Sequence, residues 1–328
     1  MSRACREIER NILRLLHGRE TRTQLREIHA HFLRHGLNQL NQILSHFVSI
    51  CGSLNKMAYA NRIFKQTQNP TIILFNAMIK GYSLNGPFEE SFRLFSSMKN
   101  RGIWPDEYTL APLLKACSSL GVLQLGKCIH KEVLVVGFEG FSAIRIGFIE
   151  FYSSCGAMED AEKVFGEIQM RKRSVVSWNI MISCLAQTRR NSEALGLFHE
   201  MLDWGFKPDE ATVVTVLPIC ARLGAVDVGQ WIHSYAKSSG IYRDFVAVGN
   251  ALVDFYNKSG MFETARRVFE EMPRKNVISW NTLISGLAFN GNGELGVELL
   301  EEMLNEGLSP NDATLVGVLS CCAHAGTV

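Results

Sequence analysis

A 35-residue stretch that occurs three times at a fixed period constrains this chain more than any other feature. Its middle copy, Val175–Asp209, reads VVSWNIMISCLAQTRRNSEALGLFHEMLDWGFKPD. The apolar spacing predicts one helix over Val176–Ala186 and a second over Ser192–Trp204 that stops at Gly205. Pro208 blocks further helix, and Asp209 can cap the next one. The other copies are Ile72–Asp106 and Val277–Asn311, so that Asn76, Asn179 and Asn281 recur 103 and 102 residues apart. Neither helix can bury its apolar face alone. A helix pair that returns with a fixed period buries it against its neighbours, which predicts one elongated all-α solenoid rather than separate domains.

Two other kinds of unit lie between these copies. Glu107–Phe141 and Glu210–Phe245 share T-x-x-x-x-L followed by Cys, Gly and Ile-His; Ser142–Ser174 and Val246–Asn276 are shorter and share FYSSCGAMEDAEKVF and FYNKSGMFETARRVF. Asn38–Thr71 reads as an irregular earlier copy of the short kind, and Asp312–Val328 as the first helix of another long one. Leu315, Val316, Val318 and Leu319 predict an exposed apolar face on that last helix. Residues Met1–Leu37 are rich in arginine, as in an organellar transit peptide, but Glu7, Glu9, Glu20 and Glu27 oppose that reading. The alternative is a degenerate repeat: LREIHAHFLRHGL, Leu25–Leu37, resembles the Ile-His segments Gly126–Phe138 and Gly229–Ile241.

The second-helix trios Phe92/Phe95/Met98, Leu195/Phe198/Met201 and Val297/Leu300/Met303 are expected to be core. Gly81, Gly86, Gly156, Gly224, Gly260 and Gly291 are expected at or near turns. Cys117, Cys220 and Cys322 share one phase, and among nine cysteines there is no C-x-x-C, so they are expected to be reduced packing residues. His29, His130 and His233 also share a phase without further ligands nearby, which favours hydrogen bonding over a metal site. No metal or cofactor is expected. A net charge of +2 neither demands nor excludes a polyanionic partner, and no apolar run is long enough for a membrane span.

SWNIMIS (Ser177–Ser183), SWNTLISG (Ser279–Gly286), EALGLFHEM (Glu193–Met201) and GFKPDEATVVTVL (Gly205–Leu217) resemble the pentatricopeptide repeat family. The long, long, short order is similar to its plant PLS subclass, over about residues 25–328, with the chain looking shortened at its C-terminal end. Two units depart from the pattern. Ser142–Ser174 has two extra residues around Met170–Arg173, and Glu210–Phe245 has one near Tyr242–Phe245. The resemblance implies a right-handed α-solenoid superhelix that binds single-stranded RNA at about one base per repeat, in the mitochondrion or alternatively the plastid. It implies that the fifth and last residues of a repeat read the base: Asn76 with Asp106, Asn179 with Asp209, Asn250 with Asn276, and Asn281 with Asn311. Second-position residues Ile73, Val176, Ala247 and Ile278 would sandwich it. In the family, Asn with Asp tends to favour uracil, and Asn with Asn cytosine or, less strongly, uracil. Read from Ile72, the implied target is U-x-x-U-x-Y-Y, with Y as cytosine. The remaining units do not fit: Ala111 with Phe141, Val214 with Phe245, Ile146 with Ser174.

The residues themselves leave alternatives open. Positions two and five lie three apart on one helix face, where an apolar side chain can cover a base and an amide can read its edge. Asp106 and Asp209 can equally be helix caps, and the asparagines can bond to backbone. Trp178, Trp280 and Phe75 can stack on bases, but their fixed repeat phase favours packing between helices. Three function classes follow. One is an RNA-binding protein that directs organellar processing or C-to-U editing with factors acting in trans. The second is a protein-binding scaffold. The third, an editing deaminase, needs a zinc held by His and Cys with a Glu acting on the proton, in an H-x-E and a P-C-x-x-C, and this chain has no C-x-x-C.

Overall fold

The computed structural model describes residues 22–169, 173–290 and 293–324. The chain divides into two units, Met1–Ile168 and Gln169–Val328. The first holds α1 (Arg22–Arg34), α2 (Asn41–Ser53), α3 (Met57–Gln66), α4 (Ile72–Asn85), α5 (Glu89–Asn100), α6 (Glu107–Leu120), α7 (Leu123–Val136), α8 (Ser142–Ser154) and α9 (Met158–Glu167). The second holds α10 (Val175–Gln187), α11 (Asn191–Asp203), α12 (Glu210–Leu223), α13 (Val226–Ser238), α14 (Ile241–Asp244), α15 (Val246–Lys258), α16 (Phe262–Glu270), α17 (Val277–Asn290), α18 (Gly293–Asn305) and α19 (Asp312–His324). No strand occurs among the described residues, so the all-α class expected from the repeats is the one observed. The earliest residues of the arginine-rich segment and the extra residues at Met170–Lys172 lie outside those described.

In each unit the first helices of successive repeats pack side by side: α2 on α4, α4 on α6 and α6 on α8, then α12 on α15, α15 on α17 and α17 on α19. The second helices form another layer, each against its own first helix, as α5 on α4 and α11 on α10. The core lies between the layers and includes Phe75, Met78 and Ile79 in the first unit and Trp178, Phe198 and Met201 in the second, all buried. Helix starts follow the local chemistry. Asp106 and Asp209 sit in extended conformation and accept the backbone N–H of Thr109 and Thr212, each at 2.9 Å.

The trios on the second helices are core only in part. Met98, Met201 and Met303 are buried, whereas Phe92, Leu195 and Leu300 are half-buried and Val297 is exposed. A three-residue step falls short of the 3.6-residue turn, so six residues rotate one end of the trio out of the interface. Gly86, Gly156, Gly224 and Gly260 have positive φ at helix ends, but Gly81 lies inside α4. There a Cβ would stand 2.5 Å from Met57, so close helix approach rather than a turn calls for glycine. The Ile-His units use the same device: a Cβ on Gly126 or Gly229 would stand 2.0 Å from the ring of Phe151 or Phe255. The extra residue of Glu210–Phe245 is absorbed by the short turn α14, anchored by buried Tyr242, whose hydroxyl donates to Val268 O at 2.6 Å. On α19, Leu315, Val316 and Leu319 are exposed as expected, while Val318 is buried.

The phase-locked histidines are hydrogen-bonded to tyrosines. Nδ1 of His130 and His233 lies 2.8 and 2.9 Å from the hydroxyls of Tyr152 and Tyr256. In the first unit Cys51 occupies the phase of those tyrosines, and His29 bonds instead to Tyr59, at 2.7 Å. Burial and nearby Lys237 push His233 down to about 4 from the ordinary 6.5, against a smaller opposing pull from Glu271. A folded-state value below the unfolded one means that this site favours folding above pH 6.5 and that the advantage is lost as pH falls toward about 4. Thermal melts between neutral pH and pH 4 are expected to show that decline, and His233→Gln to flatten it; an unchanged slope in the variant would assign the decline to other groups. None of the described cysteines forms a disulfide; Cys117 and Cys220 are buried and Cys322 is half-exposed.

Candidate nucleic-acid interface

Each 35-residue repeat begins a first helix whose fifth residue is asparagine, and the next repeat begins at a capped helix one layer position along. That placement brings the fifth residue of one repeat against its last. Asn76 Nδ2 donates to both carboxylate oxygens of Asp106, at 2.9 and 3.1 Å. Asn179 Nδ2 donates to Asp209 Oδ1 at 2.9 Å, and Asn281 Nδ2 to Asn311 Oδ1 at 3.0 Å. The capping role and the pairing coexist. Oδ1 of Asp106 or Asp209 takes the backbone N–H of the threonine that follows the cap by three residues and also the asparagine amide.

A third residue completes each set. The hydroxyl of Thr109 donates to Asn76 Oδ1 at 2.6 Å, that of Thr212 to Asn179 Oδ1 at 2.7 Å, and that of Thr314 to Asn281 Oδ1 at 2.6 Å. The sequence reading missed these threonines as site residues. Their signal was present in the cap-x-x-Thr spacing of PDEYT, PDEAT and PNDAT. Burial acts to raise the Asp209 carboxyl, but the backbone and hydroxyl of Thr212 and the amide of Asn179 outweigh it and hold the group below the usual aspartate value.

One turn before each asparagine stands an exposed aliphatic residue. Ile73, Val176 and Ile278 are 52, 51 and 61% exposed, and Ala247 is also exposed. These side chains expose apolar surface beside a polar pair, which suits the face and edge of a flat heterocycle. Within the second unit a cleft of about 400 Å³ opens at the last such pair, lined by Ile278, Asn281, Asn311, Asp254 and Lys258.

Other expected site residues are arranged differently. Asn276 Oδ1 accepts from the backbone and hydroxyl of Ser279, at 3.0 and 3.1 Å, as an ordinary cap. Among the described residues no hydrogen bond joins it to Asn250, whose buried Oδ1 has no partner. The pairs Ala111/Phe141 and Val214/Phe245 have no amide to offer, and Ser174 caps α10 through Ser177. Trp178, Trp280 and Phe75 are 0, 2 and 0% exposed, so they pack between helices and are not available to stack on a base. Among the described residues no three His, Cys, Asp or Glu side chains are grouped to hold a metal, and no helix is long and apolar enough to cross a membrane.

Comparison with known proteins returns the same periods. A family model described as the PPR repeat family matches residues 70–119, 173–222 and 275–324, and a PPR repeat model matches 250–277. The pentatricopeptide repeat-containing protein At1g09190 of Arabidopsis thaliana is 56% identical, over 98% of this chain and 73% of its own length. The Arabidopsis proteins At3g47530 and CRR2, chloroplastic, are 37 and 34% identical; the chain is covered over 97 and 92% and spans only 54 and 46% of theirs. Among solved structures, maize PPR10 superposes with a TM-score of 0.71 at 20% identity, over 95% of this chain and 46% of PPR10. PPR10 has also been solved with an 18-nt psaJ RNA element, and that structure superposes with a TM-score of 0.70. The helix-pair fold is therefore the α-solenoid seen in PPR10. With family models at the three 35-residue repeats and a relative matched along nearly the whole chain, this protein belongs to the pentatricopeptide repeat family.

Proposed function

We propose that this chain binds single-stranded RNA and selects pyrimidines through its asparagine pairs, about one base per repeat. The observation that carries this reading is the exposed aliphatic residue and the asparagine–cap pair, repeated at one phase in three repeats. The caps supply a chemical basis for choosing between bases. Oδ1 of Asp209 is used by the helix start and by Asn179, which leaves Oδ2 as an acceptor. Uracil presents a donor, N3–H, on that edge. Asn311 uses Oδ1 in the same way, which leaves its Nδ2 as a donor, and cytosine presents N3 as an acceptor there. The proposed target is U-x-x-U-x-C-C, read from Ile72 onward. Binding of RNA by PPR10, with the same fold, supports the partner class.

The long, long, short unit order supports assignment to the PLS subclass, and with it a role in organellar RNA processing or C-to-U editing in which any chemistry is supplied in trans. The proposed compartment is the mitochondrion, with the plastid as the alternative; a fluorescent fusion of the full-length gene product distinguishes them. The binding test is fluorescence anisotropy at a fixed, stated salt concentration, since phosphate contacts make affinity salt-dependent. U-x-x-U-x-C-C is compared with an equal-length RNA carrying G at both U positions. Tighter binding of the first is expected. Equal or absent binding would favour a protein-binding scaffold.

A further inference from the structure

We propose that Thr109, Thr212 and Thr314 are positioning residues for base reading, each holding the plane of a reading asparagine from a buried site; the proposal rests on the RNA reading above. All three threonines are fully buried, so they cannot touch RNA themselves. Each hydroxyl oxygen accepts the backbone N–H of the cap residue, at 3.2, 3.1 and 3.0 Å. Its one proton then has two acceptors in reach. The cap Oδ1 stands at 2.9, 2.9 and 3.1 Å, and the asparagine Oδ1 at 2.6, 2.7 and 2.6 Å. The cap oxygen already receives two N–H groups, and the asparagine oxygen is nearer, so the proton goes to the asparagine.

The amide is thereby held at both ends, Oδ1 by the threonine and Nδ2 by the cap. What remains for a ligand is one N–H and one lone pair in a fixed plane. The cap alone would fix only the Nδ2 end and leave the amide free to swing about it. The junction at Ser279 separates this role from helix capping. Ser279 makes the same two cap contacts, at 3.2 and 3.1 Å, yet neither it nor Asn276 bonds to Asn250. The hydroxyl–asparagine contact is therefore not a by-product of the capping box, and the sixth base should be selected less sharply than the fourth.

The test compares wild type, Thr212→Val and Thr212→Ser on U-x-x-U-x-C-C and on RNAs with C replacing either U, with melting temperatures recorded for all three proteins. Valine keeps the shape and removes the hydroxyl. Serine keeps the hydroxyl, and Ser177 and Ser279 show that it sustains a cap at this phase. Thr212→Val is expected to lose about tenfold in discrimination at the fourth base. Discrimination at the first base, read by the untouched Asn76 set, should persist, and Thr212→Ser should retain both. Unchanged fourth-base discrimination in Thr212→Val, or an equal loss at both bases, would overturn the positioning role. Wild type without selectivity at either base would instead remove the RNA reading, and this proposal with it.

Discussion

Trp178→Ala is expected to destabilise the Gln169–Val328 unit by about 3–5 kcal/mol, the usual cost of deleting a fully buried large aromatic side chain. The indole is 0% exposed on α10. Its ring lies 5.9 Å from that of Phe206, and the Arg173 guanidinium stands 4.9 Å from its centroid. An alanine would leave a cavity between the two helix layers that the surrounding helices can close only in part. Trp178→Phe should cost less, because Phe75 fills the same phase in the first unit with no exposure. Urea unfolding of the full chain measures both. If Trp178→Ala kept wild-type stability and lost only RNA affinity, the indole would have to leave the core to meet a base, and the packing assignment would be wrong.

The features legible in the sequence are those that follow from period and local chemistry. A helix pair with a proline-aspartate stop had to fold as stacked pairs, because each pair has an apolar face and no partner of its own. The phases of Trp178 and Trp280 pointed to core, and those of His130 and His233 to hydrogen bonding, because a position that repeats in sequence repeats in environment. The threonine clamp was less legible. A buried hydroxyl between two repeats is a contact across 33 residues, and nothing local distinguishes it from an ordinary capping residue. Asn250 marks a second limit. It stands at the right position, but Gly249 precedes it where the 35-residue repeats have Phe75, Trp178 and Trp280. A Cβ at Gly249 would stand 2.7 Å from Met272, so this helix packs at closer range than sequence phase alone conveys. Gly81 was misread for the same reason: close approach and a turn both call for glycine, and only the neighbouring Met57 tells them apart.

Asp209→Asn is expected to move the preference at the fourth base from uracil toward cytosine, by tenfold or more, with little change in fold. Asn311 supplies the geometric precedent, since it caps α19 and accepts from Asn281 at 3.0 Å in the arrangement Asp209 has with Asn179. Asparagine caps helices about as well as aspartate, so the stability cost should be confined to the lost charge at the helix N-terminus, about 0.3–1 kcal/mol. That cost depends on pH. Asp209 is held below the ordinary 3.8, so its contribution is present above that pH and disappears as pH falls through the lower folded-state value; wild type and variant should converge in stability there. At neutral pH the substitution exchanges the one free acceptor for a donor. An edge contact of this kind discriminates between bases by about 1–3 kcal/mol, a factor of roughly 5 to 150. The anisotropy series with U, C, A or G at the fourth base reads this directly, and the first base serves as the internal control. If uracil preference survived the exchange intact, Asp209 would be a helix cap and nothing more, because a residue in contact with the base edge cannot trade an acceptor for a donor without changing which base it accepts.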